Sequence, residues 1–117
     1  MRTIANLQEM KAAIGEMCAE FHGLPEATVF DSKLVACELI VNALRHGGGR
    51  AYFAYAREEQ TIRISVRGET DFRPPAKSTC SGTNAESGRG LYLVDALSVR
   101  REYSAQDGIC VVILIRN

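Results

Sequence analysis

The stretch Glu38-Leu39-Ile40-Val41-Asn42-Ala43-Leu44-Arg45-His46 sets a carboxylate and a carboxamide four residues apart in a run that is otherwise mostly apolar. On a helix, positions four apart stack on one face. Glu38, Asn42 and His46 then form one polar stripe, with Arg45 beside it. A helix that is mostly core carries such a stripe at a cost unless a polar ligand or partner lies in front of it. A carboxylate can polarise a hydroxyl nucleophile, and an amide oxygen can hold a magnesium ion, so the pair suits nucleotide chemistry.

A second group lies downstream. Ser87-Gly88-Arg89-Gly90-Leu91 closes a stretch rich in Pro, Ser, Thr, Gly and Asn and opens an apolar-periodic segment. Glycines at such a junction let backbone amides approach an anion, and the start of a helix favours negative charge. Gly-x-Gly alone is a weak signal. It gains specificity from its order here, after the acid–amide helix, a hairpin and a long loop.

The elements that must position these groups are readable from periodicity. Leu7, Met10, Ile14, Met17 and Phe21 recur at spacings of three and four, an amphipathic helix whose apolar stripe is expected in the core. Asn6 and Glu9 predict a capping box at its start, and Gly23-Leu24-Pro25 ends it. A second helix is expected from about Thr28 or Phe30 to His46. Thr28 and Asp31 form its cap, Phe30, Leu34, Cys37, Val41 and Leu44 its buried face, and Gly47-Gly48-Gly49 its stop. Ala51 to Ala56 and the alternating Ile62, Ile64 and Val66 predict two strands joined at Glu58-Glu59-Gln60. After the loop of residues 68–88 come a helix from Leu91 to about Ser98, a strand over Arg101 to Ser104, a turn, and a last strand from Ile109 to Ile115. This order lacks the strict alternation of a doubly wound sheet. It predicts one domain over residues 1–117, an α+β two-layer sandwich with a mixed, largely antiparallel sheet and about three helices on one face.

Composition narrows the function classes. The 117 residues carry 14 basic and 14 acidic side chains and no block of like charge, so no nucleic-acid footprint is indicated. No apolar run is long enough to span a bilayer, and the first residues lead into no signal-type segment. A cytoplasmic location with reduced thiols is expected for Cys18, Cys37, Cys80 and Cys110, which contain no Cys-x-x-Cys pair.

Taken together, these motifs resemble the GHKL group of ATPases, the Bergerat fold, and within it the small stand-alone anti-sigma serine/threonine kinases of bacteria. Leu34 to Gly47 resembles the family's N box, and Gly88 to Leu97 its second glycine box. The resemblance implies ATP and magnesium as cofactors, with Glu38 as general base and Asn42 as the magnesium ligand. Arg45 would lie beside them. The amides of Gly88, Arg89, Gly90 and Leu91 would bind phosphate, the Arg89 side chain would reach the triphosphate, and residues 72–87 would form a lid. It also implies protein partners, a sigma factor or an anti-sigma antagonist, and a possible homodimer. The resemblance departs at one position. The family's strand leads into an Asp-x-Gly-x-Gly box whose aspartate reads the adenine amino group. Here Val66-Arg67-Gly68-Glu69-Thr70-Asp71 follows, with Gly68 in the aspartate's place and the later glycines missing. Glu69 or Asp71 would substitute only in another register.

Plainer readings stand beside these. Glu38 can be an ion-paired helix residue with Arg45 or a lysine as partner, and Asn42 a buried amide satisfied by backbone. His46 can serve only the helix end. Asp95 is expected as a solvated or salt-bridged surface residue. The same fold can serve as a nucleotide-free protein-binding module, or as a histidine-kinase catalytic domain acting on a separate phosphoacceptor.

Overall fold

A computed structural model of the chain describes residues 2–70, 92–104, 106 and 108–115. Strand β1 (Arg2–Ile4) leads into helix α1 (Leu7–Glu20) and helix α2 (Glu26–His46). Strands β2 (Ala51–Arg57) and β3 (Thr61–Gly68) follow, and then β4 (Arg100–Ser104) and β5 (Gly108–Leu114). Residues 92–97, between β3 and β4, are helical and are called α3. The sheet order is β1-β2-β3-β5-β4, and all four pairings are antiparallel. The chain therefore passes from β3 through α3 to the far edge before β5 returns to pair with β3.

α1 forms where its periodicity and cap place it. The Asn6 side chain accepts from the Glu9 amide at 2.8 Å. Glu9 completes the cap differently from a standard box, accepting from the amide of Ala5 at 2.7 Å. Met10, Ile14, Met17 and Phe21 are buried, with Ala13 joining them, but Leu7 is exposed.

α2 corrects two expectations. It starts at Glu26 with Pro25 in the capping position and no side-chain cap, so Thr28 and Asp31 lie inside the helix and are buried. Proline lacks the N–H that a helix start leaves unpaired, and Glu26 suits the positive end of the dipole. The buried face is Ser32, Val35, Ala36, Leu39, Ile40 and Ala43, not Phe30, Leu34, Cys37, Val41 and Leu44. Phe30 is 58% exposed, and the other four are half-buried. Apolar residues surround this helix, so period alone did not select a side. The side against the sheet sets Val35, Leu39 and Ile40 among the small Ser32, Ala36 and Ala43. Ser32 satisfies its hydroxyl on the Thr28 carbonyl at 2.8 Å.

The core lies between these helices and one face of the sheet, where Ile4, Phe53, Ile62, Ile64, Val66, Val111 and Ile113 meet α1 and α2. Each such side chain contributes about 1.5–3 kcal/mol on burial. The other sheet face carries Arg67 over the Tyr52 ring at 4.9 Å and Arg63 paired with Glu58 at 3.2 Å. Cys18, Cys37 and Cys110 are free thiols.

Candidate functional site

The polar stripe of α2 lies along the flank of its buried face. Taking 100° per residue, Asn42 and Glu38 sit just beyond Val35 and Leu39, and Arg45 one step further toward solvent. Glu38 and Asn42 are half-buried, and Arg45 and His46 are exposed. Arg45 and His46 are each engaged in a contact of their own. Among the described residues, no ion pair or side-chain hydrogen bond holds Glu38 or Asn42. The plainer reading of Glu38 as half of an ion pair with Arg45 or a lysine therefore has no support among these residues. Among the described residues, then, the half-buried carboxylate and amide have no side-chain partner, and such groups are available to a ligand.

The carboxylate is felt by its neighbour. Burial first, and then the negative charge of Glu38, push the Cys37 thiol above its ordinary value of 9.0, with Lys33 pulling the other way.

The far end of the stripe is built by glycines. α2 ends at Gly47, and Gly48 has φ +95°, a backbone region that glycine enters without strain. The turn is stitched to the end of β3. The Thr70 amide donates to the Gly47 carbonyl at 2.7 Å, and the Glu69 amide to the Arg50 carbonyl at 3.1 Å. Gly68 is pressed against this turn. A Cβ there would lie 2.7 Å from the Gly47 Cα and 3.1 Å from its carbonyl oxygen. The position therefore excludes any side chain in this backbone, an aspartate included. Beside it a cavity of about 10 Å³ is lined by Gly68, Thr70, Tyr103 and Gly108 among others, room for one water at most. Glu69 and Thr70 are exposed.

α3 is fixed to the sheet by a charge pair, so of the two expectations for Asp95 the salt-bridged one holds. Arg101 on β4 meets Asp95 on α3 in a two-pronged contact, Nε to Oδ1 at 2.6 Å and Nη2 to Oδ2 at 3.2 Å. The Arg101 side chain is only 9% exposed. The Ser98 hydroxyl donates to the Val94 carbonyl at 2.7 Å at the helix end. The available signal was the opposite charges six residues apart across a short turn. Gly88, Arg89, Gly90 and Leu91, the lid of residues 72–87 and Asp71 lie outside the described residues.

Over residues 2–115 the chain matches the sequence profile of the histidine kinase-like ATPase domain. It belongs to that family. Its antiparallel sheet with helices on one face is the family's α+β fold, and membership supports ATP binding. A search of curated proteins found no match. Among the described residues of this ATPase domain, no helix is long and apolar enough to cross a membrane.

The two ends of the site fit the implied cofactors differently. One amide oxygen and one carboxylate suit a magnesium ion, which keeps several waters and takes its other ligands from phosphate. At the base end, the carboxylate that reads adenine in the family has no room at Gly68.

Proposed function

We propose that this ATPase domain is a regulatory ATP-binding protein of the anti-sigma type, which transfers phosphate to a serine or threonine of a protein antagonist and binds a sigma factor. The observation that carries this reading is the pair of open, half-buried oxygen donors, Glu38 and Asn42, on the flank of a helix in a chain of this family. Magnesium-bound ATP would supply the phosphoryl group and neutralise its charge. The chain's part is positioning. Asn42 Oδ1 would hold the metal, Arg45 would lie near the phosphates, and the Gly88, Arg89, Gly90 and Leu91 amides would bind them. Glu38 orients the acceptor hydroxyl and takes its proton. Site residues, partners, a homodimer and a cytoplasmic location belong to this proposal.

The test uses ATP labelled on its terminal phosphate and an acceptor protein co-purified with the chain. Label should appear as acid-stable phosphoserine or phosphothreonine. Glu38→Ala should keep nucleotide binding and lose transfer, and equal transfer by that variant would overturn the role of Glu38. Acid-labile label would point to histidine phosphorylation and overturn the serine/threonine assignment.

The Gly68–Gly47 contact favours a second reading, a protein-binding module on the same fold that works without nucleotide. Partner binding that is indifferent to ATP, in a chain that binds no ATP, would establish it.

A further inference from the structure

The end of β3 is a wall of main chain that is already paired. On one flank the Thr70 and Glu69 amides donate to the carbonyls of Gly47 and Arg50 at 2.7 and 3.1 Å, and Gly68 lies opposite Ala51 in the ladder with β2. On the other flank Val66 lies opposite Ile109 of β5. A Cβ on Gly108 would stand 2.4 Å from the Val66 carbonyl oxygen and 2.7 Å from the Arg67 Cα. An amide spent on a neighbouring carbonyl has no proton left to offer a ligand.

Three polar residues line the small cavity beside this wall, Arg67, Thr70 and Tyr103. The Arg67 guanidinium lies over the Tyr52 ring, and Tyr103 has a contact of its own. Thr70 is exposed, and its hydroxyl both donates and accepts. Glu69 is turned onto the end of α2, its Cβ lying 3.4 Å from where a Gly48 Cβ would stand.

Purines differ in sign at position 6. The amino group of adenine donates there, and the oxo group of guanine or hypoxanthine accepts. A carboxylate only accepts, so it separates the two, whereas a hydroxyl meets either. We infer that this site selects its ligand by the magnesium–triphosphate end and takes 6-amino and 6-oxo purine nucleotides alike. The inference rests on the nucleotide reading of Glu38 and Asn42. Backbone of the Gly47 turn stands where a carboxylate at position 68 would have to be. Of the three polar residues at the wall, Thr70 is the one exposed to a ligand, and its hydroxyl has no preference of sign. A site built to hydrogen-bond one group rejects an analogue lacking it by about 10⁴-fold or more, and a wall without such a group separates near-isosteres far less.

The probes are ATP, inosine triphosphate and GTP, each with magnesium, and adenosine without phosphate. Each is titrated calorimetrically into the full chain. Inosine triphosphate carries oxygen in place of the adenine amino group, so its comparison with ATP isolates position 6. The three dissociation constants should agree within about threefold, and adenosine should not bind at up to about 5 mM. Thr70→Val should leave the ratios of the three near one. A preference for ATP over inosine triphosphate of more than about tenfold would overturn the inference and leave the nucleotide reading in place. Loss of that preference in Glu69→Gln or Asp71→Asn would then identify the carboxylate that reads the base. Adenosine binding, or ratios that Thr70→Val drives apart, would also overturn the inference. No heat with any of the three triphosphates would remove the nucleotide reading itself, and this inference with it.

Discussion

The two ends of the α2 stripe are built on opposite principles. At the Glu38–Asn42 end, polar oxygens have no side-chain partner among the described residues, on a helix whose neighbouring positions Leu39 and Ala43 are buried core. At the Gly68 end, backbone lies on backbone so closely that no side chain fits. On the proposed reading the first end would serve a metal–phosphate site, while the second has no room for a base-reading carboxylate. A site of this construction can keep its phosphate end while its base end becomes structural. The phosphate end depends on side chains that core packing does not fix, and the base end depends on a backbone path that core packing does fix.

The comparison breaks most readily at the glycines. Gly108 has φ +73°, and a Cβ there would meet the Val66 carbonyl oxygen at 2.4 Å. Gly108→Ala should therefore cost about 2–4 kcal/mol in chemical denaturation. A loss within error would mean that the junction of β3 and β5 yields easily. Gly68→Asp should cost about 1–3 kcal/mol, because the clashing atoms are backbone. It should leave ATP affinity no better, even though it restores the family's residue. A gain in affinity without loss of stability would show that the Gly47 turn moves aside and that the base end is still a working pocket.

Much of this architecture was legible in the sequence. The alternation of Ile62, Ile64 and Val66 located β3, and Asn6 with Glu9 located the start of α1. What was not legible followed from crowding. α2 is apolar nearly all round, so period could not choose between the Leu34–Val41 side and the Val35–Ile40 side. Only packing against the sheet decides. Glu38 and Asn42 were recognisable because a polar stripe in such a helix is conspicuous whichever side is buried. The Gly68–Gly47 contact was not, because it joins positions about 20 residues apart that meet only when β3 returns beside the end of α2. Asp95 is expected as a solvated or salt-bridged residue, and it is salt-bridged; the burial of its partner Arg101 was not legible, because it comes from tertiary packing.

Smaller effects sharpen the same contrast. Asp95→Ala removes one half of the clamp on α3 and should cost about 1–2 kcal/mol, by leaving the guanidinium of Arg101 short of its partner. If Gly88–Leu91 carry phosphate, ATP affinity should fall with it. A charge-swapped pair, Asp95→Arg with Arg101→Asp, should recover part of both, and recovery of stability alone would confine the clamp to a structural role. Asn42→Ala should change stability by no more than about 0.5 kcal/mol, because its amide has no partner to lose among the described residues.

The finest probe is Cys37. Its raised thiol pKa means that the folded chain holds the proton to higher pH than the unfolded chain. Its contribution to stability is therefore full below the unfolded value and is lost as pH rises through the folded one. Alkylation of Cys37 should be slow at neutral pH. Glu38→Gln should move the pH–rate curve down, though not to the ordinary value, since burial is the larger cause. An unmoved curve would mean that the Glu38 carboxylate does not face its neighbour as described.

The central claim is that the Glu38–Asn42 stripe still holds a nucleotide although the base end is closed. Calorimetric titration of the purified chain with ATP, with and without magnesium, tests it most directly when Asn42→Ala is run beside the unaltered protein. Magnesium-dependent heat that saturates, and that Asn42→Ala loses while remaining folded, is the expected result. No heat at millimolar ATP, or binding that Asn42→Ala retains, would contradict it.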